Sequence, residues 1–313
     1  MREVVLVALD GALDAAIGVT LDVLSVASRL AGERRRRQGF AVRVLGSSED
    51  GVTTSAGYRR EVDAALGARL AADVVILLAP FADSADELDE ILARPDVALA
   101  TRAVAHAHER GALVVGSCSA TFVLAKAGLL DGHIATTAWF LAPHFRRLFP
   151  RVELTEGALV VPTGRVVTAG AALAHADLML WLVEHLAGAA VAELTARTLV
   201  LDARTSQTRY VALERLGERT NEVRRAERFL RDNLARDITL ADVARAARTS
   251  ARTLARRFEV AVGMSPLRFL RRLRAERAAH LLATTRRSLE EIAPLVGYRD
   301  PVALRKVLRR SSR

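Results

Sequence analysis

Four short apolar runs in the first 115 residues alternate with stretches of helical periodicity. The runs are rich in β-branched residues and occupy residues 4–9, 40–45, 74–79 and 112–115. The run at residues 4–9 is wholly apolar, which is typical of a strand that is buried on both faces. Strands that alternate with helices predict a mostly parallel sheet with helices on both sides, and ligands are expected beyond the carboxyl ends of the strands.

Residues 238–263 follow a different pattern, which predicts two short helices joined by a tight turn. In the first helix, the apolar positions i, i+3, i+4 and i+7 run from Leu240 to Ala247 and form one buried stripe. Thr239, with Asp242 three residues later, is suited to cap the start of this helix.

The second helix follows a break at residues 248–250, where Ser250 is suited to cap it. Leu254 and Phe258, one turn apart, supply its inward face. Polar side chains occupy the opposite face, among them Arg252, Thr253 and Arg256. A solvated helix could carry such a face. The spacing, the small alanines at the helix crossing and the exposed arginines instead favour a helix-turn-helix whose second helix enters the major groove of DNA.

An imperfect copy of this pattern returns about 50 residues later. Ser288 and Glu291 fit a capping box, and Asp300 with Pro301 fits an N-cap followed by proline at the first helical position. Pro294 lies inside the first helix of the copy, where proline bends a helix or costs about 3 kcal/mol. Two such units can sit on one face of DNA about one helical turn apart.

Basic residues are concentrated in the C-terminal part of the chain. Residues 221–313 hold 23 Lys or Arg against 10 Asp or Glu, residues 1–220 hold 23 against 26, and the whole chain carries +10. This distribution is the electrostatic footprint of phosphate contact. A basic helix on a membrane surface is the competing interpretation, but short, capped and paired helices do not favour it.

The 313 residues, 51% of them apolar, are enough for two domains with separate cores. Cys118 is the single cysteine and the seven histidines show no ligand spacing, so we expect no disulfide, no metal and no cofactor. No apolar run approaches the roughly 20 residues of a membrane span, and no signal peptide precedes the first strand. We therefore expect a cytoplasmic protein without membrane contact.

The fourth apolar run leads into residues 116–120, where small residues surround Cys118 ahead of an apolar helix. Such a strand-to-helix turn predicts a nucleophile elbow, with the side chain exposed beside the free N–H groups of a helix end. A helix end of this kind lowers the pKa of a thiol. The alternative interpretation is a small buried cysteine that fills a turn.

The C-terminal part carries four further motifs: T-L-A-D-V-A from residue 239, S-x-R-T-L-x-R-x-F from 250, G-M-S-P from 263 and I-A-x-x-V-G-Y from 292. Together they resemble the DNA-binding domain of the AraC family, over roughly residues 222–310, which implies double-stranded DNA as a partner. We expect base contacts from Arg252, Thr253 and Arg256. Weaker candidates for base contact in the second unit are Arg299 and Lys306, and we expect phosphate contacts from Arg257, Arg309 and Arg310.

The first 200 residues carry L-D-G-A around Asp10, G-S-C-S-A-T-F-V-L-A from residue 116 and T-A-G-A-A-L-A-H-A-D-L from 168. This combination resembles the ThiJ/PfpI superfamily, a class I glutamine amidotransferase-like fold, and specifically the sensor half of AraC-type regulators. Enzymes of the superfamily pair the elbow cysteine with an acid from the loop after the first strand. An ungapped alignment places that acid at Ala16, so the thiolate lacks a proton partner and catalysis is disfavoured.

What remains of such a site is a polar-rimmed cavity suited to a small ligand with an acceptor or anionic group. The rim candidates are Asp10, Pro80, Ser117, Cys118 and Ser119. His175 and Asp177 open an apolar helix, and we interpret them as structural.

These observations predict a three-layer, flavodoxin-like α/β sandwich at residues 1–204, a linker at 205–220 and an all-α domain with two helix-turn-helix units at 221–313. The predicted function is a DNA-binding transcriptional regulator, not an enzyme, controlled by an unknown small-molecule effector and dimeric through its N-terminal domain. Two alternatives stay open: a cysteine-dependent hydrolase, hydratase or glyoxalase-like enzyme, and a redox sensor that acts through Cys118.

Overall fold

The computed structural model describes residues 2–34, 39–155, 157–202, 204, 206–207, 221–262, 264–285, 287–298 and 300–311, without the side chains of 33–34, 260, 280, 283–284 and 309–311. Contacts divide the chain into two compact units, Met1–Val211 and Ala212–Arg313. The predicted domain limits and linker stay a prediction, and Gln207, inside the predicted linker, packs in the first unit.

A central sheet organises the first unit. In chain order, the strands of the described residues are β1 (Arg2–Ala8), β2 (Phe40–Gly46), β3 (Val52–Thr53), β4 (Arg59–Arg60), β5 (Ala64–Ala65), β6 (Val74–Leu78), β7 (Leu113–Ser117), β8 (Ile134–Ala135), β9 (Glu153–Leu154), β10 (Val160–Thr163) and β11 (Val166–Ala169). Seven of them form the sheet in the order β10-β11-β7-β6-β1-β2-β5, with β10 antiparallel to β11 and the other pairs parallel. The strand order changes direction between β1 and β6, where ligands bind in open sheets of this kind.

Helices cover both faces of the sheet. They are α1 (Asp14–Arg34), α2 (Ala85–Ala93), α3 (Pro95–Glu109), α4 (Ala120–Lys126), α5 (Ala142–Leu148), α6 (Ala174–Ala187) and α7 (Ala189–Thr198). Successive side chains of a strand point to opposite faces. Val5 and Val7 accordingly lie in the core that includes α2, α3 and α4. Val4 and Leu6 lie in the core that includes α1, α6 and α7. The predicted three-layer sandwich is confirmed.

Helix α1 is the one described helix that is long and apolar enough to cross a membrane, over Asp14–Gly32, by length and composition alone. The sequence pattern predicted no apolar run of this length. Val23, Leu24 and Ala27 of α1 are buried against the sheet and α6. This burial is what the core helix of a sandwich requires.

The second unit is all α-helical over its described residues, which confirms its predicted class. Its helices are α8 (Asn221–Asp232), α9 (Leu240–Ala247), α10 (Ala251–Val262), α11 (Pro266–Thr284), α12 (Leu289–Leu295) and α13 (Pro301–Ser311). Helix α11 contacts helices of both predicted pairs, α9 with α10 and α12 with α13. Pro294 lies in the last turn of α12, and the helix ends one residue later. The proline therefore falls where the helix stops instead of bending its middle.

Candidate functional site

Cys118 occupies a sharp turn between β7 and α4. Its backbone has φ of 58°, a left-handed conformation that side chains other than glycine rarely adopt. Its N–H donates to the carbonyls of Ala169 and Gly170 over 3.0 and 2.9 Å. The predicted elbow is therefore present in the backbone, but Cys118 is buried, at 6% exposed, where the sequence predicted an exposed side chain.

The Cys118 thiol is held in its neutral form. Burial raises the pKa of Cys118 above its usual value, and backbone N–H groups of Ala172 and Ser119 oppose this only in part. Helix α4 has seven residues, and its N-terminus does not overcome the desolvation. The prediction of a lowered thiol pKa is wrong, because the sulfur is far more buried than the sequence indicated.

A small pocket lies against Cys118 at the carboxyl ends of β6 and β7. Its cavity volume is about 20 Å³, and the free space reaches about 310 Å³ only when the open solvent at its mouth is counted. Most of the lining side chains are apolar, and the full set is Leu13, Ala16, Leu78, Ala79, Phe81, Ser117, Cys118, Ser119 and Ala172. The lining contains no acid, and Ala16, where the ungapped alignment places the acid of the related enzymes, belongs to the same lining as Cys118. The polar rim expected from the sequence is thus largely replaced by apolar surface.

Three of the five predicted rim residues, Ser117, Cys118 and Ser119, line this pocket. Ser119 donates its hydroxyl to the carbonyl of Pro80 over 2.6 Å. Asp10 accepts the N–H of Thr53 over 2.8 Å through its carboxylate. Asp10 and Pro80 therefore shape the neighbouring loops, and neither is among the lining residues.

A buried hydrogen-bond network extends from the pocket through His175. Thr20 donates its hydroxyl to the carbonyl of Ala16 over 2.8 Å, so its oxygen accepts the Nε2–H of His175 over 2.7 Å. The unprotonated Nδ1 then accepts the hydroxyl of Ser117 over 3.0 Å. Burial lowers the pKa of His175 to about 4. A neutral histidine therefore fixes the hydroxyl of a pocket residue, a role that its place in an apolar helix did not reveal.

Gln207 reaches the same region from the end of the first unit. Its side chain is 2% exposed. The amide donates to the carbonyl of Thr137 over 2.9 Å and that of Ala158 over 3.2 Å, and its oxygen accepts the N–H of Ala171 over 3.0 Å. A Cβ on Gly170 would lie 2.5 Å from this oxygen, so the glycine leaves room for the amide. No local pattern in the sequence marks Gln207, because the groups that hold it are distant in the chain.

Arg204, three residues earlier, also fixes this end of the unit. It forms an ion pair with Asp177 of α6 and donates to the carbonyl of Leu173. Residues 170–173 are thus held by Arg204 on one side and by Gln207 on the other. Ala172 of this loop also lines the pocket. The same loop therefore contacts both the pocket and the start of the predicted linker.

The first helix-turn-helix forms as the pattern predicts. Thr239 and Asp242 make a complete capping box on α9, and Arg248 turns the chain at φ of 56°. Leu254 and Phe258 of α10 are fully buried. Their burial fixes the rotation of α10 about its axis.

The outward face of α10 presents two arginines. Arg252 and Arg256 are exposed, and no acid among the described residues pairs with either. Thr253 lies between them and accepts the hydroxyl of Ser250. Arg257 turns toward α8, where it lies 3.2 Å from Glu222, so its position differs from that of the two exposed arginines.

The second helix-turn-helix repeats this geometry. Ser288 and Glu291 complete a capping box, and Gly297 turns the chain at φ of 80°. Leu304 of α13 is fully buried and Lys306 is exposed. Arg299 and the side chains of Arg309 and Arg310 lie outside the described residues.

Sequence profiles match both units. A profile of the DJ-1/PfpI family matches residues 2–185, and a profile of a helix-turn-helix domain matches residues 243–312. The first unit also shares its fold with Drosophila melanogaster DJ-1beta, at a TM-score of 0.51 and 22% identity, over 64% of this chain and 99% of that one.

Two bacterial regulators are similar in sequence. The HTH-type transcriptional regulator GbdR of Pseudomonas aeruginosa is 29% identical over 185 residues, which cover 58% of this chain and 50% of GbdR. The HTH-type transcriptional regulator GlxA of Rhizobium meliloti is 28% identical over 204 residues, 64% of this chain and 62% of GlxA. The matched region therefore spans about half the length of GbdR.

Proposed function

The chain belongs to the DJ-1/PfpI family and carries a helix-turn-helix domain, and from this premise we propose that it is a ligand-responsive transcriptional regulator. The second unit binds a specific DNA sequence. The first unit binds a small-molecule effector in the pocket beside Cys118 and controls that binding without catalysing a reaction.

The DNA-binding part of this proposal rests on the outward face of α10. Arg252 and Arg256 lie one turn apart on a helix whose opposite face is locked by Leu254 and Phe258. Arginine binds guanine through two hydrogen bonds in the major groove, which is worth about 1–3 kcal/mol of discrimination. The basic excess of residues 221–313 adds attraction to phosphate that does not depend on sequence.

The absence of catalysis is inferred from the described pocket. Nucleophilic catalysis by cysteine needs a thiolate and a group that moves its proton. Ala16 occupies the position expected for the acid, and burial keeps the Cys118 thiol protonated. Because Ser117 and Ser119 already donate their hydroxyls within the protein, the pocket favours a compact ligand group with apolar surface.

The effector acts through residues 170–173 in this proposal. A ligand that displaces Ala172 pulls the N–H of Ala171 away from the amide oxygen of Gln207. The loss of this hydrogen bond weakens the attachment of the chain that leads to residue 221. Release of residues 204–207 would lengthen that connection by about 13 Å. A ligand shifts such an equilibrium only when it prefers one of the two states.

We place this regulator in the cytoplasm, where its DNA is, and we expect it to dimerise through the first unit. Dimers read two copies of a site, which raises both affinity and specificity. Sedimentation of the full chain at micromolar concentration tests this part, and a monomer of 33.9 kDa would contradict it.

Selection of duplexes from a random pool by the full chain tests the proposed function. We expect one consensus sequence to be enriched and its binding to weaken steeply as salt rises. A pool that stays random after repeated rounds would contradict sequence-specific binding.

A blocked pocket tests the sensor half. In Ala16→Phe the added ring fills the cleft beside Cys118. Library compounds that raise the unfolding temperature of the wild type by binding should leave this variant unchanged, and they should alter DNA affinity only in the wild type. A compound that stabilises both chains equally binds elsewhere.

A further inference from the structure

The two helix-turn-helix units present different chemistry at the same helical positions. Helix α10 begins after Ser250, whose hydroxyl accepts the N–H of Thr253, and α13 begins after Asp300, whose carboxylate accepts the N–H of Val302. Counted from these caps, Leu254 and Leu304 are both the fourth helical residue, and both are fully buried. The two helices therefore have the same rotation relative to their cores.

This equivalence pairs Val302 with Arg252 at the second helical position, and Lys306 with Arg256 at the sixth. Val302 is 51% exposed. Lys306, one turn later on the same face, is also exposed. Arg305, between them, points toward Glu290 at 3.8 Å. The outward face of α13 thus offers one apolar side chain and one cation where α10 offers two arginines.

An apolar side chain can recognise only one feature in the major groove. Hydrogen-bond donors and acceptors mark the other base edges, whereas the 5-methyl group of thymine is the apolar feature of that groove. Valine has no donor or acceptor to offer a guanine or an adenine. The first residues of a second helix are also those that reach base edges in helix-turn-helix proteins.

We propose that Val302 packs against the methyl group of a thymine in the half-site read by α13. This inference rests on the proposed function and names the DNA sequence class that the second unit recognises. The half-site under α10 contains guanines facing Arg252 and Arg256. The half-site under α13 contains a T·A pair where the first has G·C, and Lys306 faces a base about two base pairs away, since four helical residues rise about 6 Å.

Deoxyuridine gives an atomic test, because it pairs as thymidine does but lacks the methyl group. On the duplex selected by the full chain, each thymine of the second half-site is replaced in turn by deoxyuridine. At one position wild-type affinity should fall about fourfold, the effect of exposing one methyl group. Val302→Ala should bind the thymine and deoxyuridine duplexes with nearly equal affinity.

Two variants serve as controls. Arg252→Ala should lose preference for a guanine in the first half-site and keep the thymine preference in the second. Val302→Thr keeps one methyl group at the same place and should retain part of the effect. Val302 is exposed, so wild type, Val302→Ala and Val302→Thr should unfold at similar temperatures.

The outcomes separate this inference from the function on which it rests. Specific binding with no deoxyuridine effect at any position, or with the same effect in Val302→Ala, would overturn the role of Val302 and leave the regulator proposal intact. That result would also be expected if the outer face of α13 bound a protein. Failure to enrich any sequence would overturn both.

Discussion

The side-chain amide of Gln207 donates a hydrogen bond to the backbone carbonyl of Thr137 over 2.9 Å. Thr137 in turn donates its hydroxyl to the carbonyl of Cys118 over 2.8 Å. Two hydrogen bonds therefore join the end of the first unit to the elbow at the pocket. In the proposed function, these two bonds connect the pocket to the end of the first unit.

Replacement of Gln207 by Ala should free the end of the first unit. The change leaves the carbonyl of Thr137 and the N–H of Ala171 without their partner, at a cost of about 1–3 kcal/mol each where they stay buried. We expect faster hydrogen exchange in residues 204–207 and DNA binding that no longer responds to pocket ligands. Exchange measured by mass spectrometry, together with DNA titration, checks this.

Two further variants control for general destabilisation. Gly170→Ala adds a Cβ 2.5 Å from the amide oxygen of Gln207 and should reproduce the uncoupled behaviour. Ser206→Ala removes the hydroxyl bond to the carbonyl of Gly157, leaves the Gln207 amide bonds in place and should stay responsive. A normal ligand response in both Gln207→Ala and Gly170→Ala would show that the signal takes another path.

His175 should make stability depend on pH. Its pKa is lowered from 6.5 to about 4 in the folded chain. Between these values the unfolded chain binds more protons than the folded chain. The contribution of neutral His175 to the free energy of unfolding is therefore fully present above pH 6.5 and is lost as the pH falls toward 4. Wild type should lose about 2 kcal/mol more than His175→Gln between pH 7 and pH 5 in urea unfolding. Parallel pH profiles for the two chains would contradict the buried neutral histidine.

Cys118 should react slowly with alkylating reagents. Its pKa is raised by burial, and the thiolate is the reactive form. We expect iodoacetamide at pH 8 to modify the native chain at least about tenfold more slowly than the chain in urea. Rapid modification of the native chain at pH 6 would instead favour the enzyme or redox-sensor alternative, which needs an accessible thiolate.

Gly297 should be far less replaceable than Arg248, although both turn the chain between paired helices. A Cβ on Gly297 would lie 2.7 Å from the carbonyl of Leu234, at φ of 80°. Gly297→Ala should therefore destabilise the second unit by about 2 kcal/mol or more. Arg248 already has a Cβ at φ of 56°, so Arg248→Ala should change stability little. Thermal unfolding of the two variants compares them directly.

Local patterns predicted the parts of this molecule that depend on near neighbours. The apolar run at residues 4–9 indicated a strand buried on both faces, and Thr239 with Asp242 indicated the helix start that the structure shows. Leu254 and Phe258 indicated the inward face of α10 because one helical turn relates them. Each of these features is fixed within a few residues of chain.

Features that depend on contacts between residues far apart in the chain could not be predicted from the sequence. Gln207 looks like a polar linker residue, and its role exists only because Gly170 and Thr137 form a socket for its amide. The start of a helix predicts a lowered pKa for a nearby thiol, but the burial of Cys118 raises its pKa instead. Phe81 lines the pocket but lies in no motif, and Ala172 lies in the motif from residue 168, where its small apolar side chain gave no sign of a place in the pocket.

Loss of one base preference in a single-residue variant tests the central claim most directly. Wild type, Arg256→Ala and Arg151→Ala are titrated with the selected duplex and with duplexes in which each G·C pair is changed in turn to A·T. Arg151 is an exposed arginine of the first unit, so its variant loses the same charge far from α10 in sequence.

Arg256→Ala should lose about 1–3 kcal/mol of preference at one guanine and keep its preferences elsewhere, whereas Arg151→Ala should match the wild type. An equal fall of affinity on every duplex in Arg256→Ala would contradict sequence reading by α10.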